Sequence, residues 1–373
     1  MIYLDNAATA KPLASAVDKA NVFINEQFYN PSALYHGGIY VQNQLKTAKN
    51  TILQSLGTTK HDVIFTSCGT EADNQAILSV CKRGVFITTE GEHSAVYKCA
   101  MELKNRGITV EFVKLNPNGS VNVNDLLEKV KNLQPTLVSI VHVNNETGAI
   151  NNVNYIAEQI KKLSPKTIIH SDGVQAFCKI KYTLSKSIDL YSISAHKIGG
   201  LKGTGALIKS KTLNLPAFIF GGGQENNLRS GTENVFGIKV FEYATIERQT
   251  NIQEYFEHVT KLSNYAREHI DNNFFKIISD DICSPYILTI SAIGLRGEVV
   301  MHKLEEENII IGNGSACSSK NPHSRIISAC GYKNDILDGI IRLSFSPYDS
   351  LEDISIAIDK LNSTVEKLRK IML

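Results

Sequence analysis

Lys197 lies in Ser194-Ala195-His196-Lys197-Ile198-Gly199-Gly200, directly after the strand-like run Ile188 to Ile193. A lysine held at a strand end suits Schiff-base chemistry. An amine attacks an aldehyde only when part of it is deprotonated, and partial burial beside another cation favours the neutral form. Ser194 and His196 are of the types that hold a phosphate. Asp172, in His170-Ser171-Asp172-Gly173-Val174-Gln175, emerges from another buried-strand pattern, on the side where open α/β sheets bind ligands. A carboxylate there pairs with a protonated ring nitrogen. Read singly, Lys197 is more simply a surface lysine in a polar turn, and Asp172 is as readily a strand-end cap. Together, at the ends of successive strand-like segments, they point to an aromatic aldehyde cofactor.

Other segments repeat this placement. Phe65 to Asn74 reads as a strand, a small-residue turn and a helix start, which aims free backbone N–H groups at an anion and adds the Thr70 hydroxyl. An ordinary capped helix is the competing reading, and the segment lacks the Gly-Lys-Ser/Thr ending of a P-loop. His93 follows a strand and opens a helix, where an imidazole either stacks on a flat ring and handles protons or is simply solvated. Asn144 to Gly148 follows the strand-like run ending at His142. Cys317 sits among small and polar residues, Gly312 to Pro322, that read as a loop; a thiol there is accessible, and its reactivity requires a stabilised thiolate. Arg342 interrupts an apolar strand pattern, so its guanidinium needs an anion, either a substrate carboxylate or an internal carboxylate.

The elements that must position these groups follow from periodicity. Between about residues 60 and 210, β-branched runs at 63–66, 85–88, 110–113, 137–142 and 167–170 alternate with helical spacing at 71–81, 94–105, 123–132 and 153–163. This is the rhythm of an α/β unit with a mainly parallel sheet. After Phe220 to Gln224 a helical stretch runs to about Glu247 and a charged one from Ile252 to about Asn272. Strands at 285–290, 308–311 and 340–345 then alternate with helices at 297–306 and 351–373. A second domain is expected from about residue 250.

The 373 residues are 43% hydrophobic with a net charge of +2, and the basic residues are dispersed, so a nucleic-acid footprint is not expected. Seven scattered cysteines without a Cys-x-x-Cys pair argue against a disulfide framework or a zinc site, and no metal is expected. With no signal-like start and no apolar run long enough to span a bilayer, the expected location is cytoplasmic.

Taken in order, Tyr3 to Thr9, Asn30-Pro31-Ser32, Phe65 to Asn74, Glu92-His93, His142 to Glu146, Asp172 with Gln175, Ser194 to Lys197, Arg229 to Thr232, Gly314 to Cys317 and Arg342 resemble the cysteine desulfurases of the NifS/IscS-like group, in the class V aminotransferase superfamily. The resemblance implies the aspartate aminotransferase-like fold of pyridoxal-phosphate-dependent transferases: a large domain over 12–250 with a mainly parallel mixed sheet, and a smaller α+β domain over 251–373 that packs with 1–11 and carries the Cys317 loop. It also implies site roles. Lys197 becomes the Schiff-base lysine, Asp172 the partner of the pyridine nitrogen, Gln175 a contact to the ring hydroxyl and His93 the stacking residue. Gly69, Thr70, Ser194 and His196 would surround the phosphate, with Thr232 reaching the phosphate of a second subunit in a homodimer. Asn145, Arg342 and Asn30 would bind L-cysteine. Cys317 would take its sulfur as a persulfide, leaving alanine, and hand it to an acceptor such as an iron–sulfur scaffold protein or a tRNA-thiolation enzyme. Three departures stand out: Ala10 and Asn313, where threonine and serine are common, and the less familiar stretch 321–325, which bears on the choice of acceptor. Another class V enzyme, a selenocysteine lyase or an aminotransferase, is the alternative; an aminotransferase would not need Cys317.

Overall fold

The computed structural model describes residues 1–313 and 323–372, so Cys317 lies outside the described residues. Its centre is a seven-stranded sheet ordered His61–Thr66, Gly205–Ser210, Leu190–Ser194, Ile168–Asp172, Leu137–Ser139, Val85–Thr89 and Thr109–Val113. Gly205–Ser210 runs antiparallel to both neighbours, while the other pairings are parallel. Helices cover both faces. One core gathers Leu45, Ile52, Leu126, Ile156, Ile193 and Phe241, and the opposite face packs Ile77, Phe86, Val96 and Leu103. Burial on both sides explains why Leu190–Ser194 and Gly205–Ser210 are buried at every position instead of alternating.

The crossover helices follow their sequences closely. In Val153–Leu163, Asn152 caps the first turn by accepting from the Tyr155 N–H, and Lys161 and Lys162 sit in the last turn, where the helix dipole favours cations. The buried side chains Val153, Ile156, Ala157 and Ile160 recur at i, i+3, i+4 and i+7. Each large apolar residue buried this way contributes about 1.5–3 kcal/mol.

A three-stranded antiparallel sheet, Ile340–Ser344, Ile287–Ala292 and Phe275–Ile277, packs with Ile252–His269, Gly297–Glu306 and Leu351–Met372. Its apolar cluster includes Leu4 and Ala7 from the chain's start, and Ile2–Leu4 pairs in parallel with Ile309–Ile311. Residues 5–13 then cross to the other sheet: the Asn6 amide donates to the Ser344 carbonyl, and the Ala10 and Leu13 N–H groups donate to His196 and Gly199. Among the described residues no helix is long and apolar enough to cross a membrane.

Two expected elements differ. The strand anticipated over 137–142 ends at Ser139, although Ile140 and His142 still donate to the carbonyls of His170 and Asp172. The helical stretch anticipated after Gly223 is a single turn, Gln224–Asn227, and the long helix begins only at Val235. Left-handed φ angles at Glu225, Asn226 and Asn227 break the first turn away from the second helix.

Candidate functional site

A cavity of about 510 Å³ opens at the carboxyl ends of the parallel strands and is closed on one side by the three-stranded unit. Ser194 ends its strand, and one tight turn, Ala195–Lys197, carries Lys197 into the cavity wall. There the Lys197 ammonium donates to the carbonyls of Ala7 at 2.6 Å and Ala8 at 2.8 Å. The Ser194 hydroxyl is buried with no partner among the described residues, which makes it a donor available to a ligand. Beside it, helix Gly69–Val80 starts at Cys68 without a side-chain cap, so Gly69 and Thr70 present a helix N-terminus to the cavity. A Cβ on Gly69 would come within 2.8 Å of Val174 Cγ2, so only glycine fits that approach undisturbed. His196 contacts the Thr9 hydroxyl at 3.2 Å, and burial together with Lys197, Lys179 and Lys202 pushes it down to about 4, leaving a neutral ring.

Asp172 ends the strand Ile168–Asp172 and is 4% exposed. Its Oδ1 accepts the Val174 N–H at 2.9 Å. Burial raises its carboxyl above the ordinary range, against the pull of His93, the Val174 N–H and Lys197. A desolvated carboxylate in that state gains from a cationic partner. Asp73, on the second turn of the Gly69–Val80 helix, is 1% exposed and raised further, by burial and then by Asp172. Ligand atoms of Asp73, Asp172 and His93 lie within 4.8 Å of one another. His93 Nδ1 accepts the Ala95 N–H and thereby caps helix Ser94–Asn105, which commits that nitrogen's lone pair and favours a neutral ring. Burial first, then Lys197 and Arg325, pull His93 below its usual value, with Asp172 opposing. His93 therefore opens its helix, as expected from sequence, and lines the cavity instead of standing in solvent.

Arg342 reaches the same cavity from the strand Ile340–Ser344. One guanidinium nitrogen meets Asp5 Oδ1 at 2.8 Å and the other donates to the Asn145 carbonyl at 2.8 Å. The internal carboxylate weighed from sequence is therefore present, yet Nε of Arg342 and Oδ1 of Asn145 are buried without a partner among the described residues. Gln175 also lines the cavity. Asn30 and Thr232 do not. Asn30 is exposed and accepts the Ser32 N–H, and Thr232 is exposed. Asn313, Ser324 and Arg325, on either side of the stretch containing Cys317, do line it.

Sequence reasoning gave no role to several charged groups here. Glu92 is fully buried, accepts from the Thr89 hydroxyl and the Val141 N–H, and is pushed up to about 8 by burial. Glu146 is pushed up to about 7, again mainly by burial, and accepts from Ser324. Arg325 lies 3.9 Å over the Tyr97 ring and donates to the carbonyls of Glu90 and Glu92. Glu92 directly precedes a helix-capping histidine, which was a usable signal. For Glu146 and Arg325 the partners come from distant segments, so no local pattern gives their roles.

The unpartnered Ser194 hydroxyl, the open N-terminus at Gly69, the buried Asp172 carboxyl and the strand-end Lys197 match the phosphate, ring nitrogen and aldehyde of pyridoxal phosphate in their chemistry. Comparison with known proteins agrees. The sequence matches the family described as aminotransferase class V over residues 2–356. It is 33% identical to a protein named cysteine desulfurase IscS from Dictyoglomus turgidum, with 99% of this chain and 96% of that relative covered. Among solved structures it resembles a NifS-like protein, with a TM-score of 0.92, 30% identity and 98% and 99% of the two chains covered. A NifS-like protein from Rickettsia africae gives a TM-score of 0.90 at 28% identity, again over 98% and 99% of the two chains.

Proposed function

Because this chain belongs to the aminotransferase class V family and is a pyridoxal-phosphate-dependent cysteine desulfurase, we propose that the groups gathered at its strand ends divide the work of taking sulfur from L-cysteine. The observation that carries this assignment is the convergence of Lys197, Asp172, His93 and Arg342 on one cavity from four separate elements.

When bound, pyridoxal phosphate supplies an electron sink that lets the Cα–H bond of the amino acid break. Lys197 Nζ would hold the aldehyde and move a proton at Cα. Asp172 would hold the proton of the ring nitrogen, and its desolvated carboxyl would strengthen that pairing. His93 would stack as a neutral ring, and Gln175 would contact the ring hydroxyl. The Ser194 hydroxyl, Thr70, His196 and the backbone at Gly69 would hold the phosphate. Arg342, with its unpaired Nε, binds the substrate carboxylate beside Asn145 and so orients the Cα–H bond. Asn30 is the remaining substrate contact of this assignment, although in a single chain it stands outside the cavity.

Cys317 takes the substrate sulfur as a persulfide, and alanine leaves. Support for its approach comes from its flanks, since Asn313 and Ser324 both border the cavity. The division into 12–250 and 251–373 with 1–11 is supported by the separate apolar clusters. A homodimer in which Thr232 serves the second subunit's phosphate fits its exposed position and the large exposed side chains Phe28, Leu34 and Phe220. Handover of sulfur to an iron–sulfur scaffold or tRNA-thiolation enzyme in the cytoplasm completes the reading.

The test is turnover of L-cysteine to alanine and sulfide, with reductant present, by the wild type and by Cys317→Ala. Loss of sulfide release in the variant supports the assignment. Undiminished release would remove Cys317 from the reaction and favour a selenocysteine-lyase-like enzyme.

A further inference from the structure

The turn after Asp172 buries a second lysine under the site. Lys179 is 3% exposed and lies four residues beyond Gln175, with the Ala176 carbonyl accepting its backbone N–H at 3.0 Å. Its ammonium donates to Gln175 Oε1 at 2.8 Å. The Gln175 carboxamide in turn donates through Nε2 to the Ala7 carbonyl at 2.8 Å, and that same carbonyl accepts from Lys197 at 2.6 Å. A side-chain chain therefore runs from Lys179 through Gln175 and Ala7 to Lys197. The Ala7 carbonyl fixes its polarity: a backbone carbonyl only accepts, so the amide nitrogen faces Ala7 and the amide oxygen is left to accept from Lys179.

Nothing in simple burial energetics explains keeping an amine at this position. The groups that act on Lys179 through their charge, Lys197, Arg248 and Arg342, are all cations, and the nearest aromatic face, Tyr286, is 5.8 Å away. Burial and these cations hold its amine well below the usual lysine value. An apolar side chain of the same length would avoid that cost. What the amine does achieve is to occupy the one acceptor that would otherwise let the Gln175 amide turn over.

We propose that Lys179 is a positioning residue for the desulfurase reaction: it holds the oxygen of the Gln175 amide, so that the N–H side is presented to Ala7 and the cavity, where it serves the oxygen of the cofactor's ring hydroxyl. This rests on the role given to Gln175 above. A donor held toward that oxygen favours its ionised form, whereas a turned amide would offer a second acceptor and repel it. Polarisation of the amide by the amine strengthens the donor further.

The experiment measures the dissociation constant for pyridoxal phosphate and the visible absorption maximum of the reloaded full-length protein, for wild type, Lys179→Met, Gln175→Ala and the double variant. Lys179→Met is expected to weaken cofactor binding about five- to tenfold, the scale of one hydrogen bond, and to shift the absorption maximum. In the Gln175→Ala background the same change is expected to cost nothing more, because the two residues act through one amide. Additive losses, or an unchanged constant and spectrum in Lys179→Met, would overturn the proposal. Should Lys179→Met not fold, Lys179→Gln, too short to reach Oε1 in the same way, serves the same cycle with the same expected losses. Failure of the wild type itself to take up the cofactor would instead overturn the assignment of the site, so the two failures are distinguishable.

Discussion

The two sides of the cavity are prepared differently. On the sheet side, His93, Asp172 and Lys197 stand at ends of strands whose own residues are almost all buried, and the Ser194 hydroxyl has no partner among the described residues. On the other side, Arg342 already spends two of its nitrogens on Asp5 and the Asn145 carbonyl. The first side offers a resident group buried polar atoms already in place, so that only the Lys197 contacts to the Ala7 and Ala8 carbonyls must give way, which limits the ordering cost of binding. In the proposed assignment the second would loosen an internal ion pair when a substrate carboxylate arrives, as suits a ligand that comes and goes. Preorganisation has gone to the permanent occupant and exchangeability to the transient one.

Removing the sheet-side amine should have the largest effect. Lys197→Ala is expected to abolish the borohydride-reducible link to the cofactor and to lower turnover by at least about a thousandfold, the scale of a lost general base; retention of the reducible link would place the Schiff base elsewhere. On the exchangeable side, Arg342→Ala should raise KM for L-cysteine by about a hundredfold, the value of a charge-assisted contact, while cofactor affinity stays within about twofold. A parallel loss of cofactor would erase the distinction between the sides.

Glu92 tests how firmly the sheet side is set. Its folded value, about 8, lies above the unfolded carboxyl value, so the protonated form is favoured by folding. That contribution is complete below about pH 4.5 and is lost as pH rises toward 8. Glu92→Gln should therefore gain stability relative to wild type as pH increases from 5 to 9, by up to a few kcal/mol in chemical denaturation. A gap that does not widen with pH would mean that Glu92 is ionised and paired in the fold. The smallest effect is expected at Asp5, whose side chain is 21% exposed. Asp5→Asn releases one nitrogen of Arg342, and KM for L-cysteine should fall by about threefold. A rise would show Asp5 aiming the guanidinium rather than competing for it.

Much of the sheet side was legible because strand ends are local. A β-branched run followed by a small or polar residue announces where a parallel strand stops, and Asp172 and Lys197 are set by such runs. The antiparallel strand Gly205–Ser210, inserted between His61–Thr66 and Leu190–Ser194, was not legible, since its partners are chosen by sheet packing. Nor were the roles of Glu146, Arg325 and Lys179. Each depends on burial against residues far away in the chain, and isolated charged residues in a sequence read as solvated. Asn30, read as a substrate contact within a recognisable motif, stands outside the cavity of the single chain, because motif membership carries no position in space.

Residue order alone settled which chemical groups this protein has and on which strand ends they emerge, since hydrophobic periodicity acts over a few residues. Folding decided which of those groups meet and in what state of charge. Asp5 reaches Arg342 across 337 positions because the chain's start is buried with Ile2–Leu4 beside Ile309–Ile311. Asp73, Glu92 and Lys179 have shifted ionisation because tertiary packing removes their water. Desolvation and long-range pairing are properties of the packed molecule, and neither is written in any short stretch of the chain.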